Sequence, residues 1–343
     1  MLNVALIGFG YAGQTFHAPL IAATPGLHLA AIVSSNADKV KSQWPETRVL
    51  PDVQAAFDAA DIDLVVIATP NDTHADLARR ALAAGKHVVV DKPFTVDLAD
   101  AEDLAALSVR GDRILSIFHN RRWDGDFLTL RRLIAAGELG RITQFESHFD
   151  RFRPVLRNRW REKPGPGAGL WYDLGPHVLD QALCLFGQPA SLYTDIGTQR
   201  RGDGAPDYFH ALLRYPDGRR VILHASMLIA ASGLRFAVHG DKASFISHGL
   251  DSQEDALKAG QIPGGSGWGQ PAMVPMLTRW EGDQPKTEPV APVPGDYLAY
   301  FAQVRDAIRG MAPNPVTADE AVQVMRLIEI GCRSADEKKE IIL

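Results

Sequence analysis

NVALIGFGYAG, residues 3–13, decides the fold. After Asn3, Val4, Ala5, Leu6 and Ile7 are an uninterrupted apolar run, and residues 3–7 read as a strand buried on both faces. The run breaks on Gly8, Phe9, Gly10, Tyr11, Ala12 and Gly13, a G-x-G-x-x-G, and an Ala-rich helical stretch follows over residues 12–23. Alone, three spaced glycines are a weak signal. Between a strand and a helix each glycine has its own use, the first in a tight turn, the second in close backbone approach to a pyrophosphate, the third in close helix packing. The helix N-terminus offers unpaired N–H groups and a positive dipole end to phosphate. These six residues are therefore read as a dinucleotide-binding turn, against the alternative of a glycine-rich turn with no ligand.

Outward from this turn, short buried runs at residues 28–33, 64–68, 87–90 and 114–118 alternate with helix-like segments at 37–44, 53–59, 73–84 and 98–107. Such alternation implies right-handed βαβ units and a parallel sheet covered by helices, a Rossmann-type domain over residues 1–120. Beyond residue 120 the pattern becomes a series of strands at 142–152, 190–198, 208–215, 220–228, 234–239 and 243–247. Pro216-Asp217-Gly218-Arg219 is a hairpin turn between two of them. Residues 170–186, 296–309 and a stretch starting at Thr317 read as helices, the last with Thr317 and Glu320 at capping-box spacing. Residues 262–275 and 284–295 read as loops. The expectation is an α/β chain whose second domain, residues 121–343, is α+β with a large, mainly antiparallel sheet.

With 343 residues, 46% of them apolar and 22% charged, the chain fits about two globular domains of ~150 residues each. A net charge of -5 argues against a nucleic-acid partner. Cys184 and Cys332 are too few for a disulfide framework, no leader pattern precedes the first strand, and no apolar run reaches the ~18 residues of a membrane span. A cytoplasmic protein with no membrane partner is expected.

The carboxyl edge of a parallel sheet is where ligands bind, and several stretches reach it. The second strand runs into Ser34, Ser35 and Asn36, with Lys39 a turn on; no carboxylate stands where NAD enzymes place one, and Ser and Lys suit a 2′-phosphate. The same residues also suit a plain N-capping loop. Thr69, Asn71 and His74 follow the run at 64–68, Asn71 serving equally well as a cap. Lys92, behind Asp91 and before Pro93, ends the run at 87–90; there it can donate to a substrate oxygen, or snorkel as a surface lysine. In the second domain, Pro176 suits the first turn of a helix capped by Asp173. His177 then projects from that turn with Asp180 three residues on, a base held by carboxylates or a buried structural histidine. No metal is expected: His74, His87 and His119 lack ligand spacing and the cysteines stand alone. The Arg-rich segment 151–161 reads as a site loop or an interface.

On Gly8 to Gly13, Thr69 to His74, Asp91-Lys92-Pro93 and Asp173 to Asp180, the chain resembles the Gfo/Idh/MocA family of oxidoreductases. The one departure is Asp91 where the family has Glu. The stretches HNRRWDGDFLT (119–129), RNRWREKPGPGAGLWYDLGPHVLDQALCLFG (157–187) and LDSQEDALKAG (250–260) are similar to the NADP-dependent scyllo-inositol dehydrogenases. The resemblance implies a catalytic triad of Lys92, Asp173 and His177. It implies dinucleotide contacts at Ser34, Ser35, Lys39, Asn71, His74, Asn120, Trp160 and Arg161; Thr69, Asp91 and Lys92, in the same signature stretches, are expected on the cofactor side with them. It also implies a cis peptide before Pro93 and a homodimer or homotetramer packed through the large sheet. The expected activity is NADP-dependent interconversion of a secondary alcohol and ketone on a cyclic polyol or sugar, with NAD the second choice of cofactor. Another sugar or dihydrodiol dehydrogenase, or a nucleotide-sensing regulator without turnover, are the other readings.

Overall fold

Val4, Ala5, Leu6 and Ile7 are all buried, as a strand covered on both faces must be. The computed structural model describes residues 1–157, 162–231 and 233–343. Its first sheet has six parallel strands: β1 (Leu2–Ile7), β2 (Leu27–Val33), β3 (Arg48–Leu50), β4 (Leu64–Ile67), β5 (His87–Val90) and β6 (Leu115–Ile117). They lie in the order β3-β2-β1-β4-β5-β6. This is the doubly wound order, in which the chain turns opposite ways from β1 and opens a crevice at the carboxyl ends of β1 and β4. Strand β3 is not apparent from sequence because it is three residues at a sheet edge, none of them buried, too short to show a period. The segment after β1 is not a regular α-helix either. Gly13–His17 is π-helical, with the Ala18 N–H reaching back five residues to the Gly13 carbonyl, and Ala18–Ala23 is α-helical.

The second sheet has nine strands: β7 (Ile142–His148), β8 (Ser191–Gly197), β9 (Tyr208–Arg214), β10 (Arg220–Ser226), β11 (Leu234–Gly240), β12 (Ala243–His248), β13 (Met276–Glu281), β14 (Gln284–Pro289) and β15 (Ile341–Ile342). Their order is β14-β13-β12-β11-β7-β10-β9-β8-β15, antiparallel throughout except for the β7–β10 pair. Alternation fixes one inner face. Phe209, Ala211 and Leu213 of β9 and Val221, Leu223 and Ala225 of β10 are buried, and helix Leu170–Phe186 packs on these two strands. Gly218, with φ of 87°, makes the β9–β10 turn. Residues 284–289, read from sequence as loop, are instead strand β14: QPKTEP is exposed along its whole length and holds two prolines, so nothing but its pairing with β13 marks it. Helices Gly125–Ala135 and Gln253–Lys258 also add to the sequence reading.

The chain divides into two compact units. The first contains Met1–Trp123, Gln253–Trp268 and Asp296–Met325; the second contains Asp124–Ser252, Gly269–Gly295 and Arg326–Leu343. Residues 253–268 and 296–325 thus return to the nucleotide-side unit, although their late position places them with the second domain from sequence. The Trp123 carbonyl accepts the Asp296 N–H at 2.9 Å and the Gln253 side-chain amide at 3.1 Å, so both returning segments are tied to the end of the first. The last helix begins at a true capping box, Thr317 N–H to Glu320 at 2.8 Å and Glu320 N–H to the Thr317 hydroxyl at 3.2 Å. Among the described residues no helix is long and apolar enough to cross a membrane.

Within the second unit the least expected buried group is Arg235, at 1% exposure. Its guanidinium meets Asp126 at 3.2 Å, donates to Ser147 at 2.7 Å and to Gln181 at 2.8 Å, and lies 4.0 Å over the Phe236 ring. It therefore links helix Gly125–Ala135, strand β7 and helix Leu170–Phe186. Removing one partner of a buried pair leaves the other uncompensated. Arg235→Ala should cost about 3–5 kcal/mol, read as a lower urea midpoint by circular dichroism.

Candidate active site

The glycine turn is built to tolerances that only glycine meets. Gly8 sits at φ of 98°, and a Cβ there would lie 2.6 Å from the Ala68 carbonyl oxygen. A Cβ on Gly13 would lie 2.1 Å from the Gly8 carbonyl oxygen, so the helix start rests directly on the end of β1. Gly10 is different: a Cβ there would meet nothing within 4 Å. No packing against the described residues demands glycine at position 10, and the space above its backbone is open.

At the end of β2, Asn36 caps the following helix by accepting the Lys39 N–H at 2.9 Å. Ser34 accepts the Asn36 N–H at 3.2 Å, and Ser35 is exposed. The capping reading and the ligand reading of this loop are therefore compatible, since Asn36 does the capping. Lys39 points back to the glycine turn: Nζ donates to the Phe9 carbonyl at 3.4 Å and stands 5.6 Å over the Phe9 ring. One cation and two hydroxyl side chains flank the glycine turn, with no carboxylate among Val33 to Ala37.

The ends of β4 and β5 are locked together by His74. Its Nδ1 lies 2.9 Å from the Pro93 carbonyl and its Nε2 3.0 Å from the Thr69 carbonyl, bridging the two signature loops through their backbones. Thr69 and Thr73 share a hydroxyl hydrogen bond at 2.6 Å. Asn71 opens a short 3-10 turn; its Oδ1 is buried with no hydrogen-bond partner among the described residues. The Lys92–Pro93 peptide is cis. Asp91, 8% exposed, accepts the Lys92 N–H at 2.8 Å and faces His17 at 3.7 Å. Burial works to raise the Asp91 carboxyl, but His17, Lys92 and His74 outweigh it and hold it at about 2. It is a fixed anion under the Lys92 backbone. Asn120, also buried, starts the short turn Asn120–Trp123 after β6.

In the second unit, helix Leu170–Phe186 starts before the expected cap at Asp173. Gly169, at φ of 88°, is the N-cap, and the Asp173 N–H donates to the Gly169 carbonyl at 3.1 Å. Asp173 is thus a first-turn residue and Pro176 lies inside the helix, where it cannot donate to the Tyr172 carbonyl. The cost is accepted beside Gly175, which itself packs closely: a Cβ there would lie 3.0 Å from both Ile328 and Trp171. Asp173 and His177, four apart, project from one side of the helix. His177 is 5% exposed and stacks on Phe149 at 6.4 Å; Asp180 is fully buried. Trp160 and Arg161 lie outside the described residues.

Comparison with known proteins decides what this arrangement belongs to. Residues 2–119 match the oxidoreductase family NAD-binding Rossmann fold of Gfo/Idh/MocA proteins, and residues 131–343 match the C-terminal alpha/beta domain of the same family. The chain belongs to the Gfo/Idh/MocA oxidoreductase family. It is 54% identical to YdgJ, an uncharacterized oxidoreductase of Escherichia coli strain K12, over 100% of this chain and 99% of that one. It is 38% identical to IolW of Bacillus subtilis strain 168, a scyllo-inositol 2-dehydrogenase (NADP(+)), over 100% of this chain and 96% of the relative. The solved structure of YPO2259 from Yersinia pestis superposes with a TM-score of 0.96 at 52% identity, covering 100% of this chain and 97% of that one.

This Gfo/Idh/MocA chain is therefore an oxidoreductase with an NAD(P)-binding Rossmann domain, and its turn fits the dinucleotide. Open room over Gly10 and the unsatisfied buried Asn71 oxygen are what a bound pyrophosphate and ribose-nicotinamide end would use. Sequence reading misses the brace beneath the turn. Tyr11 donates to Glu254 at 3.0 Å, and Glu254 also meets Arg121 at 2.6 Å and Lys258 at 2.9 Å. Only long-range packing brings position 254 to position 11; the one signal in the sequence is that Glu254 falls within the branch-specific stretch LDSQEDALKAG. Gly10→Ala should leave the unfolding midpoint within about 0.5 kcal/mol of the parent while weakening dinucleotide binding at least about tenfold, because the added methyl enters only the ligand's space. Denaturant unfolding and fluorescence titration with the reduced nucleotide check both halves.

Proposed function

We propose that the chain is an NADP-dependent dehydrogenase interconverting a secondary alcohol and its ketone on a cyclic polyol or sugar, with scyllo-inositol and its keto form the first pair to test. The observation that carries the cofactor choice is Lys39, whose ammonium is held at the Phe9 carbonyl of the glycine turn, while the loop that leads to its helix offers Ser34, Ser35 and Asn36 and no acid. A carboxylate at that place would accept from the ribose hydroxyls of NAD and repel a 2′-phosphate. The substrate class is supported by the full-length relative named for scyllo-inositol and NADP. The second unit, Asp124–Ser252, Gly269–Gly295 and Arg326–Leu343, is assigned the substrate side and the contacts of a homodimer or homotetramer, and the cytoplasm suits two free cysteines.

The bound nicotinamide supplies the hydride acceptor in oxidation. The chain's own residues handle the proton and the charge. His177 takes the hydroxyl proton, Asp173 orients it from one helical turn before, and Lys92 steadies the developing alkoxide. Thr69, Asn71, His74, Asp91 and Asn120 shape and hold the nucleotide side.

Lys39→Ala should weaken NADP by about tenfold to a hundredfold and leave NAD nearly unchanged, since one charge-assisted bond contributes roughly 1.5–3 kcal/mol. Ser35→Asp should invert the preference. Steady-state kinetics with both cofactors decide it: kcat/KM for NAD equal to or above that for NADP in the parent enzyme sinks the cofactor assignment.

Lys92→Ala should lower kcat about 10²–10³-fold with nucleotide affinity retained. His177→Asn should remove the acidic limb of the oxidation profile, because a protonated imidazole cannot accept the hydroxyl proton. A parent-like rate and pH profile in both variants would move the chemistry elsewhere. A panel of inositols and sugars, followed at the reduced-nicotinamide absorbance, names the substrate.

A further inference from the structure

The nine-stranded sheet carries a group of side chains for which the dehydrogenase reading has no use. His148 ends β7 and His224 lies on β10, and the two are register partners across the parallel β7–β10 pair. Both are largely but not fully buried, with side chains 19% and 14% exposed, opposite in alternation to the fully buried Val221, Leu223 and Ala225. Asp150 follows two residues after His148. Its Oδ1 accepts the Ser226 N–H at 3.0 Å, which fixes the carboxylate against β10. One ligand atom from each of the three residues lies within 4.8 Å of the others.

The distances suit a small metal ion. Asp150 Oδ2 is 3.5 Å from His148 Nδ1, and Asp150 Oδ1 is 3.5 Å from His224 Nε2. Donors bound to zinc at about 2.0–2.1 Å in a tetrahedron stand about 3.3 Å apart, so each imidazole nitrogen already stands near that spacing from one carboxylate oxygen, a different oxygen for each histidine. The two rings have centroids 5.2 Å apart, and the ligand atoms of the three residues stay within 4.8 Å of one another, so a bound ion would draw them together.

A second carboxylate stands behind the first histidine. Glu146 Oε2 lies 3.3 Å from His148 Nε2, on the side of the ring away from Asp150, and the Gln144 amide donates to the other Glu146 oxygen at 2.5 Å. A proton on Nε2 shared with Glu146 leaves the Nδ1 lone pair turned towards Asp150. Metal-binding histidines are oriented by a carboxylate in this way. His210 of β9, its ring 5.7 Å from that of His224, is the next imidazole along the sheet.

We propose that His148, Asp150 and His224 bind one divalent transition-metal ion of the zinc class, with Glu146 as the positioning residue behind His148. Two imidazoles and a carboxylate are a donor set that suits zinc and its neighbours, and leaves a fourth coordination position for water or another ligand. The site is separate from the histidines weighed from sequence: His74 is committed to two backbone carbonyls, and His87 accepts the Ile114 N–H.

The deciding experiment is calorimetric titration of the chelator-treated full chain with zinc chloride, repeated with cobalt(II) while following its d–d absorption. One ion per chain is expected, with the strong visible bands of four-coordinate cobalt. Asp150→Asn, which keeps an oxygen for the Ser226 N–H, and His224→Gln should each weaken binding about a hundredfold. Glu146→Gln should weaken it about tenfold. Far-ultraviolet circular dichroism confirms that each variant is folded, and if one fails, the other two decide. No saturable one-to-one binding overturns the proposal, as does binding unchanged by the folded variants, which would leave the three residues as an ion-pair cluster with no metal.

Discussion

Everything on the nucleotide side rests on one contact between backbones. The chain leaves β1, turns at Gly8 with φ of 98°, and must bring the next helix down until Gly13 touches the Gly8 carbonyl, while Gly8 itself lies against Ala68 at the end of β4. A single methyl group at either glycine would hold the segments apart. Their closeness sets the crevice between β1 and β4, and that crevice in turn makes the ends of β2, β4 and β5 a ligand edge. Lys39 donates directly into this turn, at the Phe9 carbonyl.

The same edge shows how a charge is kept near a core. Asp91 stays ionised beneath Lys92 because His17, the Lys92 N–H and nearby cations face it, and its low pKa, about 2, reports that surplus of partners. Arg235 in the other unit is handled likewise, with a carboxylate, a hydroxyl, an amide and an aromatic face around one guanidinium. Neither arrangement resembles a surface ion pair. Each fixes the orientation of elements far apart in sequence, which is what buried charge does when its hydrogen-bonding capacity is used.

How much of this is legible in the sequence follows from the range of the forces involved. The parallel sheet with its strand β5, helix Leu170–Phe186 and the capping box at Thr317 are written in local periodicity and caps. Strand β14 is not, because an exposed edge strand has no buried face to leave a pattern. The π-helical turn at Gly13–His17 is hidden because its composition is that of an ordinary helix. In the site, the glycines, His74 and the cis Lys92–Pro93 peptide follow from motif and resemblance. His17 and the cluster around Asp150 are invisible there, and Glu254 is marked only by its branch-specific stretch, since each gains its meaning from a partner that only the folded chain supplies. The start of helix Leu170–Phe186 differs for another reason: Pro176 has the look of a helix opener, and here Gly169 has already opened it.

The return of Gln253–Trp268 and Asp296–Met325 to the first unit has a consequence in time. Trp123 leaves the ribosome long before its partners, the Asp296 N–H and the Gln253 amide, exist. At a synthesis rate of ~5–20 residues per second, Met325 follows Trp123 by roughly 10–40 s. For that interval the six strands can pair, yet Tyr11 lacks Glu254 and the buried Tyr297, Tyr300 and Phe301 have not been made. The newborn nucleotide unit is an open sheet waiting for its own last helices, and until they arrive the apolar surface they bury stays uncovered.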